Sequence, residues 1–406
     1  MDAKLIYISI NTGYKILLYK QENIMKKETQ FSHISRPKIG TATSVNHDIT
    51  KASTLLFNNS KDLYRSDIRG YGRHGSEIHD ALAHAFNVLE GGVETTIFPS
   101  GLAACTVAIL SLVKTGDHVL LTDSSYGRIN NFCMQFLLSM GIETELYNPR
   151  IGCDIEYLIK KSTKLIIMES PGSLSFEIQD VPAIVKIAKK NNIFTLIDNT
   201  WSAGLSFNPL NHGVDISCHA ATKYFGGHSD IMCGVAISRT KEIAKKVKQT
   251  AKHLGNSVSP DDVYGILRGF RTLVTRFKQQ EETSLSLAKW LNEQSKVSQV
   301  IHPAHISHPD HELWKRDFTG GGCIFSAVFK PCSENEVNKF IDRLELFGIG
   351  FSYGGYESLC INCDPQLIRE KSDKFTGPLV RFACGLENLE DLKKDIEKSL
   401  LKLKLD

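Results

Sequence analysis

No run of eighteen consecutive apolar residues occurs in the 406-residue chain, so no segment reads as a membrane-spanning helix. Nor is either charge in excess: 48 Lys and Arg stand against 45 Asp and Glu, a balance that gives no reason to expect nucleic acid or an acidic membrane as partner. A secretion signal is not expected either, because the apolar run Leu5–Ile10 is short and is interrupted by Asn11, Thr12 and Gly13. In such a chain the ten scattered cysteines read as reduced thiols of a cytoplasmic protein rather than as a disulfide framework. Cys360 and Cys363 form a CxxC with no second pair to complete a four-ligand zinc site. His302, His305, His308 and His311 recur at every third position, but Pro303 and Pro309 exclude a regular helix carrying all four. A solvated loop is expected there, and no metal.

What is present suffices for two domains with full cores. Met25-Lys26-Lys27 looks like a chain start, and residues 1–24 are expected to be a loosely attached extension. We expect an N-terminal extension and arm over residues 1–75, a large domain over 76–265 and a C-terminal domain over 266–406. From Thr29 to about Arg69 the chain is polar, with Lys51–Phe57 (KASTLLF) as its main apolar anchor. Ile78, Leu82, Ala85, Phe86 and Leu89 repeat at helical spacing and stop at Gly91-Gly92, a C-cap signal. Short apolar runs at 94–99, 117–122, 164–168, 193–197, 216–221 and 231–238 read as buried strands. Alternating with helical segments, they predict an α/β fold: a mostly parallel sheet in a large domain, plus a smaller α+β C-terminal domain. Residues 263–278 are expected to form a helical bridge between the two.

The strand over 193–197 delivers Asp198 at its C-terminal end, where open α/β sheets place their ligands. The next delivers Thr222 and Lys223, 25 residues beyond Asp198. A lysine and an acid at neighbouring strand ends suit pyridoxal phosphate: the lysine holds the aldehyde as a Schiff base and the carboxylate keeps the pyridine nitrogen protonated. Taken alone, these two residues are equally a salt-bridged acid and a solvated loop lysine. Ser100-Gly101-Leu102 forms a strand–Gly–helix junction, whose free amides and dipole can hold a phosphate, although many such turns contain glycine.

Ala220-Ala221-Thr222-Lys223-Tyr224-Phe225-Gly226-Gly227-His228-Ser229-Asp230 resembles the lysine signature of the trans-sulfuration (Cys/Met metabolism) family of pyridoxal phosphate enzymes, with Ala220 where most members carry a phosphate-contacting serine. Glu169-Ser170-Pro171-Gly172-Ser173, Trp314–Gly320 and Phe351–Leu359 resemble the bacterial β-lyases of that family, and the resemblance extends over residues 30–400. It implies a fold-type I transferase-like architecture. It also implies that Gly101, Leu102 and Thr222 hold the cofactor phosphate, that Tyr126 stacks on the pyridine ring, and that Tyr71 and Arg73 cross to a neighbouring subunit's phosphate. Arg suits that last role because its planar fork pairs two oxygens at once. Arg381, a charge within the apolar strand Leu379–Phe382, is either salt-bridged or pairs with the substrate α-carboxylate. The resemblance favours the second, with Ser352 assisting and Tyr353 beside it.

The implied activity is β-elimination on cystathionine, an amino-acid substrate, in a homo-oligomer expected to be a tetramer. Cysteine desulfhydration, and γ-elimination or γ-replacement, use the same residues. A nucleotide-binding α/β protein explains Gly101 but leaves Asp198 and Lys223 without a role.

Overall fold

The computed structural model describes residues 25–406; the expectation for residues 1–24 lies outside them. A seven-stranded sheet comprises β1 (Glu94–Phe98), β2 (His118–Thr122), β3 (Glu143–Tyr147), β4 (Thr163–Glu169), β5 (Phe194–Asp198), β6 (Ile216–His219) and β7 (Gly234–Ser238). Its order is β1-β7-β6-β5-β4-β2-β3. Strands β2 to β6 run parallel, while β7 is antiparallel to both of its neighbours. The strands read as continuous apolar runs because helices cover both faces. On β4, Ile166 and Met168 enter one buried layer, which also holds Leu82 and Phe86; Leu165 and Ile167 enter the other, with Ala108 and Val247. Each fully buried side chain of this kind contributes about 1.5–3 kcal/mol.

Helix Glu77–Glu90 buries the predicted stripe, is capped reciprocally by Ser76 and His79, and stops at Gly91 with φ 72°. That left-handed conformation costs glycine little. Helix Gly101–Leu110 starts directly at the predicted glycine junction, capped by the Ser100 hydroxyl accepting the Ala103 N–H at 3.1 Å.

The second sheet has five strands: β8 (Val297–Ile301), β9 (Ile324–Phe329), β10 (Gly348–Ile349), β11 (Leu359–Asn362) and β12 (Leu379–Ala383), ordered β10-β11-β12-β9-β8. It packs against helices Leu273–Asn292, Glu334–Asp342 and Leu389–Lys402 around Phe325, Phe329, Phe340 and Phe382.

Three expectations need correction. The stretch 263–278 is not one helix: Pro260–Phe270 ends and Leu273–Asn292 begins after a two-residue break. There Arg276 turns back to donate to the Gly269 carbonyl at 2.8 Å, an intrahelical acceptor left over at the first helix's end. The histidine loop is not solvated, because His302, His305 and His308 are buried. Their spacing of three has a local cause. Each ring Nδ1 accepts the amide two residues on, from Ala304, Ser307 and Asp310 respectively, at 3.0–3.2 Å. Finally, Lys51–Phe57 does not anchor the arm within one protomer, since Leu56 is 95 % exposed. The anchor is Phe31 of helix Lys27–His33, packed edge-on against Phe270 at 5.6 Å.

Candidate active site

The C-terminal ends of β4, β5 and β6 lie side by side and carry Glu169, Asp198 and the loop leading to Lys223. Glu169 and Asp198 are direct cross-strand partners. Asp198 Oδ1 accepts from the Thr200 amide at 3.0 Å and the Thr200 hydroxyl at 2.5 Å. The same hydroxyl accepts the Ala220 N–H at 2.8 Å, joining the aspartate to the lysine loop. Burial, followed by the Asp198 charge, pushes the Glu169 carboxyl well above the usual range. Its Oε2 accepts the Tyr126 N–H at 2.7 Å, so one half-buried acid fixes the backbone of the tyrosine expected to stack on the cofactor.

Gly101 packs against the lysine loop: a Cβ there would lie 2.5 Å from the Ala220 Cβ. Likewise, a Cβ on Gly234 would fall 2.1 Å from the Ser100 carbonyl oxygen. The absence of these two side chains brings the helix start, with its free amides, against the outlet of β6. Thr222, predicted beside the phosphate, turns its hydroxyl to Cys233, accepting the N–H at 2.9 Å and donating to the carbonyl at 3.1 Å. That contact closes the lysine loop onto itself.

Lys223 Nζ donates to the Ser352 hydroxyl at 2.8 Å and lies 5.2 Å from the centre of the Tyr353 ring. It forms no salt bridge with an acid among the described residues. Burial first, and then the Arg381 charge, pull its ammonium down to about 8. Arg381 is buried on β12, where it donates to the Ser352 carbonyl at 3.1 Å and pairs with no described carboxylate. Ser352 itself holds φ at 121°. The serine expected to assist Arg381 therefore serves both cations, the lysine through its hydroxyl and the arginine through its backbone.

Tyr71 and Arg73 lie elsewhere in the protomer. The Arg73 guanidinium sits 5.2 Å from the Tyr71 ring centre. Both line a cavity of about 330 Å³ between the arm and the start of helix Glu77–Glu90, and neither Lys223, Asp198 nor Arg381 lines it. Sequence reading also missed Thr200 and Arg276. The first carried a signal, a hydroxyl two residues past a strand-end acid. The second did not: buried Arg276 donates to the Tyr224 carbonyl at 2.8 Å across 52 residues.

A half-buried lysine of lowered pKa, an acid at the adjacent strand end and a glycine-opened helix start define a lysine-based cofactor enzyme of the doubly wound α/β class. The chain belongs to the Cys/Met metabolism PLP-dependent enzymes, whose family pattern it matches over residues 28–401. It is 42 % identical over 378 residues to a putative cystathionine beta-lyase of Rhizobium johnstonii, covering 91 % of this chain and 94 % of that protein. To the cystathionine beta-lyase MetC of Escherichia coli it is 39 % identical over 391 residues, 93 % of this chain and 99 % of the other. A solved cystathionine gamma synthase from Xanthomonas oryzae superposes with TM-score 0.86 at 26 % identity, covering 94 % of this chain and 99 % of that one.

The residues fit pyridoxal phosphate. A Cβ on Gly101 would collide with Ala220, so glycine is what lets the helix start and its free amides close up against the lysine loop. Among the described residues the Lys223 amine has only a neutral hydroxyl as hydrogen-bond partner, and Asp198 Oδ2 has no closer partner than the Cys105 thiol at 3.9 Å.

Proposed function

We propose that the enzyme is a carbon–sulfur β-lyase that cleaves cystathionine with water to homocysteine, pyruvate and ammonia. The observation that carries this is Arg381: a buried guanidinium with no carboxylate partner among the described residues, sharing Ser352 with Lys223. Burying an unpaired charge is costly, so the site is incomplete until an α-carboxylate enters. The fork of Arg381 then fixes that carboxylate and, with it, the direction of the Cα–H bond. When bound through Lys223, pyridoxal phosphate supplies the electron sink for Cα, with Asp198 holding the proton on the pyridine nitrogen. The freed Lys223 Nζ would then remove the Cα proton. Near neutral pH it is suited to this by its lowered basicity, and Ser352 Oγ holds it in position. The same amine then returns a proton to the departing sulfur. Gly101, Leu102 and Thr222 form the loop pair around the phosphate, and Tyr126 and Tyr353 border the substrate.

The arm supports a shared site in a homo-oligomer, taken here to be a tetramer. Tyr71 and Arg73 line a cavity that Lys223 does not line, and on the same arm Ile39 and Leu56 are 91 % and 95 % exposed. Ten unpaired cysteines, nine of them buried, support a cytoplasmic location.

Purified enzyme given cystathionine should form pyruvate faster than 2-oxobutyrate, and should turn over cystathionine more efficiently than cysteine. Predominant 2-oxobutyrate would replace the β reading with a γ one.

A further inference from the structure

Helix Glu77–Glu90 ends on a fully buried carboxylate. Glu90 Oε1 accepts two hydrogen bonds, each of 2.7 Å: one from Asn199 Nδ2, the other from His219 Nε2. Neither donor is an arbitrary core residue. Asn199 directly follows Asp198 at the exit of β5, and His219 is the last residue of β6, four before Lys223. One oxygen thus ties together the outlets of the two strands that carry the cofactor's acid and its lysine.

The surroundings leave this oxygen little freedom. The His219 ring packs beside the Phe86 and Phe225 pair, 6.2 Å from the first and edge-on to the second at 5.5 Å. Phe225 is two residues beyond Lys223. Asn199 is fixed three further times: its N–H donates to the Cys218 carbonyl at 2.9 Å, Nδ2 donates to the Phe207 carbonyl at 3.1 Å, and Oδ1 accepts from the Ser202 hydroxyl at 2.7 Å. Gly204, at φ 62°, brings its backbone so near that a Cβ would come within 3.0 Å of Glu90 Oε1. The other atoms of the pair, Glu90 Oε2 and His219 Nδ1, have no hydrogen-bond partner among the described residues. A buried carboxylate this poorly satisfied costs stability, and its two bonds are both spent on the strand ends of the site.

We propose that Glu90 is a positioning residue: through Asn199 and His219 it sets the separation of Asp198 from Lys223, and so the fit of the cofactor between them. Glu90 touches neither of the two directly. The inference rests on the pyridoxal phosphate reading of Asp198 and Lys223, and it assigns a function to a helix that contributes no site residue of its own. The register of parallel strands β5 and β6 ends at Asp198 and Cys218, and the Asn199 N–H on the Cys218 carbonyl follows it. Beyond that point the chains enter loops, where the Thr200 hydroxyl on the Ala220 amide and the two bonds to Glu90 tie them together.

The test uses the full-length enzyme stripped of cofactor and titrated with pyridoxal phosphate. Glu90→Leu removes the acceptor, and Glu90→Gln keeps one oxygen able to accept both bonds. Glu90→Leu should bind the cofactor at least tenfold more weakly and shift the pH midpoint of the bound cofactor's visible band. Glu90→Gln should return both to within about threefold and a few tenths of a pH unit of the parent. A role confined to packing would lower the unfolding temperature of the stripped protein while leaving affinity and midpoint unchanged, and that result would overturn the proposal. If Glu90→Leu does not fold, His219→Leu removes one of the two bonds; a parental affinity and midpoint there would equally overturn it. Failure of the parent protein to take up pyridoxal phosphate would instead sink the enzyme reading, and this inference with it.

Discussion

Lys223 and Ser352 meet across 129 residues of chain, Nζ donating to Oγ at 2.8 Å, in a contact that joins the large sheet's lysine loop to the C-terminal part of the chain. The serine achieves this with φ at 121°, a region in which side-chain-bearing residues cost about 1–3 kcal/mol. Ser352→Gly relieves that strain and deletes the hydroxyl. It should raise unfolding free energy by about 1 kcal/mol while kcat/KM falls roughly tenfold, the worth of one hydrogen bond to a charged group. Denaturant melts and steady-state kinetics on the same preparation decide it: an unchanged kcat/KM would remove Ser352 from the machinery.

Lys223→Ala should abolish both the visible absorbance of bound cofactor and turnover. Arginine is no substitute, because its guanidinium stays protonated and cannot act as the nucleophile. A spectrum and a pyruvate assay suffice, and near-parental activity would refute the mechanism.

Arg381→Lys keeps the charge and loses the two-pronged grip. A loss of about a hundredfold in kcat/KM is expected, with KM raised and the cofactor spectrum intact. Parental efficiency would make Arg381 a purely structural cation.

The lowered pKa of Lys223 has a pH signature in the cofactor-free protein. The neutral amine is the form that captures the aldehyde, and with a pKa of about 8 its share is about one tenth at pH 7 and about nine tenths at pH 9. Uptake of pyridoxal phosphate should therefore quicken roughly ninefold over that interval and level off above it. Because the Arg381 charge helps to lower this pKa, Arg381→Leu should move the rise to higher pH. A shift to lower pH, or none, would contradict the electrostatic account.

Sharing of the site between protomers is open to complementation. Arg73→Ala and Lys223→Ala chains should each be nearly inactive. Reassembled together, a hybrid dimer carries one site with both defects and one with neither, so activity should return towards a quarter of the parental value in a random mixture. If verified hybrids stay inactive, Arg73 serves its own subunit.

The lysine signature, the strand-end acid, the glycine junction and the lone arginine of β12 were legible because each is local. A short apolar run, a turn and a reactive side chain sit within a dozen residues. What escaped reading is held by contacts between distant segments. Glu90 looks in sequence like the polar end of an amphipathic helix, and only folding brings it to His219, 129 residues on. The break at 271–272 was hidden because both flanking helices keep apolar periodicity through it. The histidine loop misled for another reason: Pro303 and Pro309 suggested a solvated loop, whereas His302, His305 and His308 each satisfy a neighbouring amide and are buried.

Strand β1 has one sheet neighbour, β7, and its whole register from Glu94–Ser238 to Phe98–Gly234 waits on it. About 135 residues separate the two. On a ribosome adding 5–20 residues per second, roughly 7–27 s pass between the emergence of β1 and that of its only partner. During that interval helix Glu77–Glu90 has no β1–β7 edge to pack against, and a nascent chain offers an unpaired strand beside an apolar helix face. The order of the sheet thus sets a window of exposure during synthesis, which closes when the segment beyond Lys223 has been made.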